Sequence, residues 1–181
     1  MSNLHIGIIV GSTREGRVGR MVGDWVLANA KGEGASFELV DLVDYPALGA
    51  EYQAKIDSFD GFLFITPEYN HSLPGSLKNS FDFIAPTAYN NKAAGVISYG
   101  SMGGVRAAEH VRQILGELQV ADIRTAVMFS LFTDFEGMFT ADVKFTPAEI
   151  KAGELQGQID QLLPWAAALQ TVRADAEQIA A

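Results

Sequence analysis

The chain has 181 residues, 48% of them hydrophobic and 19% charged, with a formal net charge of −9. That length and composition suit one globular domain, and the acidic balance argues against a general nucleic-acid or anionic-membrane surface. Cysteine is absent, which excludes disulfides, thiolate metal sites and a cysteine nucleophile. No apolar stretch approaches the ~20 residues of a membrane span, and no basic segment precedes a long apolar run at the N-terminus. The expectation is a soluble protein of the cytoplasm.

The first strand is expected at "LHIGIIV" (4–10), followed by the loop "VGSTREGRVGRMV" (10–22). A helix from Val18 to Ala30 places Val18, Met21, Val22, Trp25, Val26 and Ala30 on one side. "FELVDL" (37–42) reads as a second strand, and a weaker helix follows around Tyr52 to Phe59. "GFLFIT" (61–66) is a third strand, and "GSLKNSFDFIA" sets Leu77, Phe81 and Ile84 at helical spacing. "AAGVISY" (93–99) is a fourth strand, Val105 to Leu118 a helix, and "IRTAVMF" (123–129) a fifth strand. Residues 130–145 form the least regular stretch, a long aromatic-rich loop. The last helix is expected to start at Thr146 with a capping box of Thr146, Pro147 and Glu149. Pro164 should kink or interrupt it.

Strands one, three and four are near-continuous apolar runs, as in a parallel sheet covered on both faces. Alternation with helices implies βαβ units and an α/β fold with a doubly wound sheet. Ligands of such sheets bind beyond the carboxyl ends of the strands, which directs attention to the loops after strands one, three and four.

The first loop fits neither common nucleotide motif. Gly11 and Gly16 have P-loop spacing, but Arg17-Val18 stands where Lys-Ser/Thr is required. "GSTREG" lacks the middle glycine of a dinucleotide fingerprint, and Asp41 alone only imitates its ribose-binding acid. A single terminal phosphate fits better, held by the Ser12 and Thr13 hydroxyls, by free N–H groups at the helix start and by the forks of Arg14 and Arg17. The competing reading is a solvent-facing turn whose arginines pair with Glu15 or Asp24.

In "TPEYNHSLPGSLKN" (66–79) the backbone N–H groups of Glu68, Tyr69 and Asn70 could face the edge of a flat heterocycle, with the Asn70 amide adding a donor and an acceptor. The prolines could instead merely shape the turn, and Tyr69 could be a packing residue. His71 has no partner at metal spacing, so no metal is expected. In "SYGSMGGVRAAEH" (98–110) Gly100, Gly103 and Gly104 permit close backbone approach, and the helix that follows offers further N–H groups. A tight strand-to-helix turn is the alternative there.

Together "GSTREGRVGRMV", "TPEYNHSLPGSLKNSFDF" and "SYGSMGGVRA" resemble the NADPH-dependent FMN reductase family over roughly residues 4 to 130. The resemblance implies a flavodoxin-like fold with a five-stranded parallel sheet of order 2-1-3-4-5 and helices on both faces. With the length that suits one domain and the helix read from about 146, the expectation is a single FMN-binding domain over 1–181 with a helical tail. The anion would be the 5′-phosphate of FMN, at Ser12, Arg14, Arg17, Val18 and Gly19. Pro67, Glu68, Tyr69 and Asn70 would border the isoalloxazine, and Ser98, Tyr99, Gly100, Ser101, Gly103 and Gly104 its pyrimidine side. Many relatives carry a serine and a polar residue where Arg17 and Val18 stand, so Arg17 would supply by charge what those side chains supply by hydrogen bonding.

The implied activity is reduction of quinones, free flavin or similar small acceptors by NADPH or NADH, in a ping-pong cycle carried by FMN rather than by a catalytic dyad. Relatives imply a homodimer or homotetramer in which the 130–145 loop helps build the pocket. Two alternatives remain at this level: a flavodoxin-type electron carrier, whose usual S/T-x-T-G-x-T loop is absent, and a flavin-free binding domain.

Overall fold

Strand β1 (Leu4–Val10) is buried along almost its whole length, which a strand achieves only inside a sheet covered on both faces. The computed structural model, which describes residues 3–180, pairs it in parallel with β2 (Ala35–Asp41) and β3 (Gly61–Pro67). Beyond β3 comes β4 (Ala93–Gly100), and the far side of β4 is shared by β5 (Ala121–Asp122) and β6 (Val127–Ser130). The order β2-β1-β3-β4-β5 is the doubly wound one, with its switch point between β1 and β3.

Side chains of each strand alternate between two cores. Leu63 and Ile65 of β3 join the core beneath α1 (Gly19–Asn29) and α5 (Ile150–Ala180). Phe62 and Phe64 join the opposite core, beneath α2 (Ala50–Asp57), α3 (Gly75–Asp82) and α4 (Val105–Glu117). Each such fully buried side chain contributes about 1.5–3 kcal/mol, so the two cores fix the sheet between two helical layers.

The fifth strand differs from expectation: residues 123–126 leave the sheet and split it into β5 and β6. Side chains from both helical layers satisfy the backbone there. Gln158 of α5 donates to Val96 O and Thr125 O, each at 2.9 Å, and Arg112 of α4 donates to Ile123 O at 3.0 Å and Arg124 O at 3.2 Å. Gly95 makes room, since a Cβ there would lie 3.0 Å from the Gln158 side chain.

The segment 130–145 is not an irregular loop throughout; β7 (Phe135–Glu136) and β8 (Lys144–Phe145) form a small antiparallel hairpin. Its aromatic side packs against Trp25, whose ring meets Phe145 edge-on at 5.9 Å. This hairpin also overturns the expected capping box. The Thr146 N–H is committed to Asp134 O at 2.9 Å, prolonging the hairpin, and α5 begins only at Ile150. Nor does Pro164 interrupt α5, which runs on past it. Leu162 and Ala166 on either side are fully buried, and burial along the helix offsets the roughly 3 kcal/mol a mid-helix proline costs.

Candidate functional site

The strand register sets Val10 beside both Asp41 and Ile65, and Pro67 beside Tyr99. The loops after β1, β3 and β4 therefore meet at one rim of the sheet.

At the first loop, α1 begins without a side-chain cap and without an acidic residue in its first turn. The N–H groups of Val18, Gly19 and Arg20 have no acceptor among the described residues. Four such groups stand open at any helix start, and an anion is a natural partner for them. Ser12 lies fully buried behind them and accepts a hydrogen bond from the Tyr99 hydroxyl at 3.2 Å. Burial drives the Tyr99 pKa far above its ordinary value, which the Ser12 bond only partly opposes, so Tyr99 remains a neutral donor. Gly19 has no space for a side chain: a Cβ would come within 2.4 Å of Ser12 Oγ and 2.7 Å of the Tyr99 hydroxyl.

The three arginines take three different roles. Arg20 pairs with Asp24 at 2.8 Å on the exposed face of α1, as the turn reading expects of one arginine. The Arg14 guanidinium lies 4.5 Å from the centre of the Tyr69 ring and so bridges the first and second loops. Arg17 pairs with neither Glu15 nor Asp24. Its Nη2 donates to Asp41 Oδ2 at 2.6 Å, while its Nη1 is buried with no hydrogen-bond partner among the described residues. Asp41 is thus engaged by an arginine rather than free for a ribose.

The second loop corrects part of the sequence reading. Tyr69 and Ser72 exchange N–H···O bonds of 2.9 and 3.1 Å around Asn70 and His71, which have φ of +50° and +66°. That is the geometry of a two-residue hairpin turn of the primed type. The Glu68 N–H donates to Tyr99 O at 2.9 Å. Of the three N–H groups assigned to a heterocycle, two are therefore committed within the protein, and Asn70 keeps the one without an acceptor among the described residues. His71 is exposed, and no group of His, Asp and Glu suited to a metal occurs among the described residues.

The Glu68 carboxylate leaves the cleft and caps α4. It accepts from the Arg106 backbone N–H at 3.1 Å and from Arg106 Nη1 at 2.5 Å. Desolvation pushes this carboxyl up, but the two Arg106 hydrogen bonds and the arginine's charge outweigh it and hold the pKa below the ordinary range. The loop after β4 is as tight as its glycines suggest. Gly103 and Gly104 have φ of +73° and +75°, and a Cβ at Gly104 would come 2.8 Å from Tyr99 N. A Cβ at Gly100 would lie 3.2 Å from that of Glu68. The turn and its packing account for all three glycines, for which the sequence left ligand approach and a tight turn open. The buried Ser98 hydroxyl donates to Gly103 O at 2.7 Å and belongs to the same turn.

Arg14, Arg17, Val18, Pro67, Glu68, Tyr69, Tyr99 and Gly100 converge on one cleft of about 60 Å³. Gly16 of the first loop and Leu131 and Met138, from the segment after β6, form the rest of its wall. Ser12 and Gly19 stand behind it around the Tyr99 hydroxyl, Ser98, Gly103 and Gly104 build the adjoining turn, and Ser101 and Asn70 are exposed at the rim. Sequence reasoning expected the 130–145 segment at the pocket without naming Leu131 or Met138, and it missed the Asp41 strut and the Arg106 clamp. Unpaired charge in the neighbouring loops was the available signal for the last two.

These residues fit an anionic ligand. An uncapped helix start, a buried hydroxyl and an orphaned guanidinium nitrogen are donors without acceptors, and such groups are costly to bury unless a ligand takes them up. The enclosed part of the cleft is small, about 60 Å³.

A parallel sheet of this order with a donor-lined cleft at its carboxyl rim defines a flavodoxin-like α/β protein. FerB, a flavoenzyme NAD(P)H:(acceptor) oxidoreductase from Paracoccus denitrificans, has the same fold, with a TM-score of 0.69 at 22% identity over 91% of this chain and 98% of that one. The NADPH-dependent FMN reductase family matches residues 4–134, and the chain belongs to that family. An NAD(P)H-dependent FMN reductase of Schizosaccharomyces pombe is 30% identical over 86% of this chain and 88% of its own. A probable NADPH:quinone oxidoreductase of Oryza sativa is 28% identical over 98% and 96% respectively. Membership makes this protein an oxidoreductase that works with FMN and NAD(P)H.

Proposed function

We propose that the protein passes reducing equivalents from NADPH or NADH to a quinone or free flavin, the two substrates taking turns over one FMN. The observation that carries this reading is the set of unsatisfied donors at the cleft, above all the buried Arg17 Nη1 beside the uncapped start of α1. Ser12, Arg14, Arg17 and the N–H groups of Val18, Gly19 and Arg20 hold the 5′-phosphate of FMN. Tyr99, kept neutral by burial, fixes the Ser12 hydroxyl. Pro67, Glu68, Tyr69 and Asn70 border one side of the isoalloxazine, and Ser98 to Gly104 the other.

When bound, FMN supplies a hydride acceptor that also passes electrons on. The chain's own part is orientation and access. The Glu68–Arg106 clamp locks the second loop to the start of α4, so the two walls of the cleft keep their spacing. Ser101 is small and exposed at the rim of the same turn, and Gly100, Gly103 and Gly104 keep that turn compact against Glu68, Met128 and Tyr99. The names of the relatives in S. pombe and rice support flavin and quinone acceptors.

The described chain, α5 included, is read as a single FMN-binding domain. Among the described residues no helix is long and apolar enough to cross a membrane, in keeping with a cytoplasmic location. Exposed Met102, Phe132 and Phe139 on the segments around the cleft support a homodimer, which light scattering measures directly. For the activity, NADPH and benzoquinone are varied together in the steady state. Parallel double-reciprocal lines are expected of substrates that alternate in one site. Intersecting lines, or no turnover unless a protein reductase is added, would overturn the proposal.

A further inference from the structure

We infer that Asp41 is a positioning residue for the phosphate of the cofactor, acting through Arg17. The inference rests on the FMN reading above and assigns a role to a side chain that does not itself line the cleft. Asp41 ends β2, next to Val10 at the end of β1, and is only 3% exposed. Its Oδ1 accepts from the Val43 N–H at 3.2 Å, which fixes the carboxylate, and its Oδ2 holds Arg17 Nη2 at 2.6 Å. Arg20 Nη1 is more distant, at 4.0 Å, and belongs to the exposed Asp24 pair.

A guanidinium is a rigid planar fork, so fixing one terminal nitrogen also fixes the direction of the other. Here the carboxylate takes Nη2 and leaves Nη1 buried without a partner among the described residues, in a side chain that lines the cleft. A long flexible side chain is thereby held ready for an anion, without losing its freedom at the moment of binding. Arginine, unlike a short hydroxyl side chain, has a long flexible stem, and the Asp41 carboxylate is the partner that holds the Arg17 head group.

Simple charge arithmetic makes the opposite forecast. A buried carboxylate near a bound phosphate repels it, so removing the charge should tighten binding. The sign of the effect therefore separates the two accounts. Asp41→Asn keeps an oxygen for the Val43 N–H but gives up the charged hold on Arg17. We expect it to weaken FMN by about tenfold, the lower end for one charge-assisted hydrogen bond. Riboflavin, which lacks the phosphate, should change less than about twofold. In an Arg17→Ala background the same substitution should have no further effect, because the group it positions is gone. Arg17→Lys approaches the pair from the other side: it keeps the charge, has no second nitrogen to offer and should reproduce the loss for FMN alone.

The measurement is the dissociation constant of each ligand from flavin fluorescence quenching, with riboflavin binding as the control that each variant is folded. Tighter or unchanged FMN binding in Asp41→Asn, or an equal loss in the Arg17→Ala background, overturns the inference while leaving the FMN reading intact. Wild-type protein that binds FMN no more tightly than riboflavin overturns both.

Discussion

Replacing Glu68 by Gln isolates the contact that joins two loops of the site. The carboxylate is 8% exposed and meets both the backbone N–H and the guanidinium of Arg106, whose side chain is 47% exposed. Glutamine can still accept one hydrogen bond, so the loss is the charge: the difference between a charge-assisted and a neutral bond, about 1 kcal/mol. The favourable placement of an anion at the start of α4 adds about 0.3–1 kcal/mol, and solvent around Arg106 keeps the ion-pair part at the low end. A total of about 1–2 kcal/mol corresponds to a fall of roughly 2–8 °C in Tm for a domain of this size.

The pH dependence supplies the sharper test. Because Arg106 lowers the Glu68 pKa in the folded protein, the stabilisation is fully present above the ordinary carboxylate pKa and is lost as the pH falls through the depressed one. Thermal unfolding of wild type and Glu68→Gln, followed by circular dichroism, should show a gap at neutral pH that closes in acid. A gap that is missing at neutral pH, or that persists unchanged in acid, would refute the clamp.

Arg14→Ala should weaken FMN by about ten- to a hundredfold, the equivalent of one charge-assisted contact, with a smaller loss for riboflavin; equal losses in parallel titrations would remove Arg14 from the phosphate. Gly103→Ala should cost about 1–2 kcal/mol in urea unfolding, since φ is +73° and the new Cβ lies 3.3 Å from that of Met128; an unchanged midpoint would show that the turn relaxes. Lys92 is buried, donates to Ile56 O and Asp57 O at 2.9 and 3.0 Å, and has its pKa lowered to about 8, chiefly by burial and then by the charge of Arg173. Between that value and the ordinary lysine pKa the unfolded chain binds more protons, so this group makes stability rise with pH. The difference in urea stability between wild type and Lys92→Met should accordingly shift in favour of wild type above pH 8, and a constant difference would exclude the assigned shift.

What was legible in the sequence is what depends on local pattern. The near-continuous apolar runs at 4–10, 61–66 and 93–99 read as strands covered on both faces, and with the helical spacings between them they imply the doubly wound sheet. Features decided by distant partners were not legible. The fifth strand opens because Gln158 and Arg112, from helices on opposite faces, take over its hydrogen bonds. The capping signal at Thr146 is locally sound, yet Asp134 claims the same N–H across a hairpin. For Arg17 the nearby acids were Glu15 and Asp24, whereas the acid it meets is Asp41, brought alongside only when β2 pairs with β1. For the glycines after β4 the sequence allowed either ligand approach or a tight turn, and the turn itself requires them.

Anaerobic reduction of the FMN-loaded protein, followed in a stopped-flow spectrometer with NADPH and with NADH, tests the central claim most directly. The account predicts that at least one nucleotide bleaches the flavin absorbance in a two-electron step, and that benzoquinone added afterwards restores it. A flavin that neither nucleotide reduces, but that a protein reductase does, would contradict the account and make the protein an electron carrier.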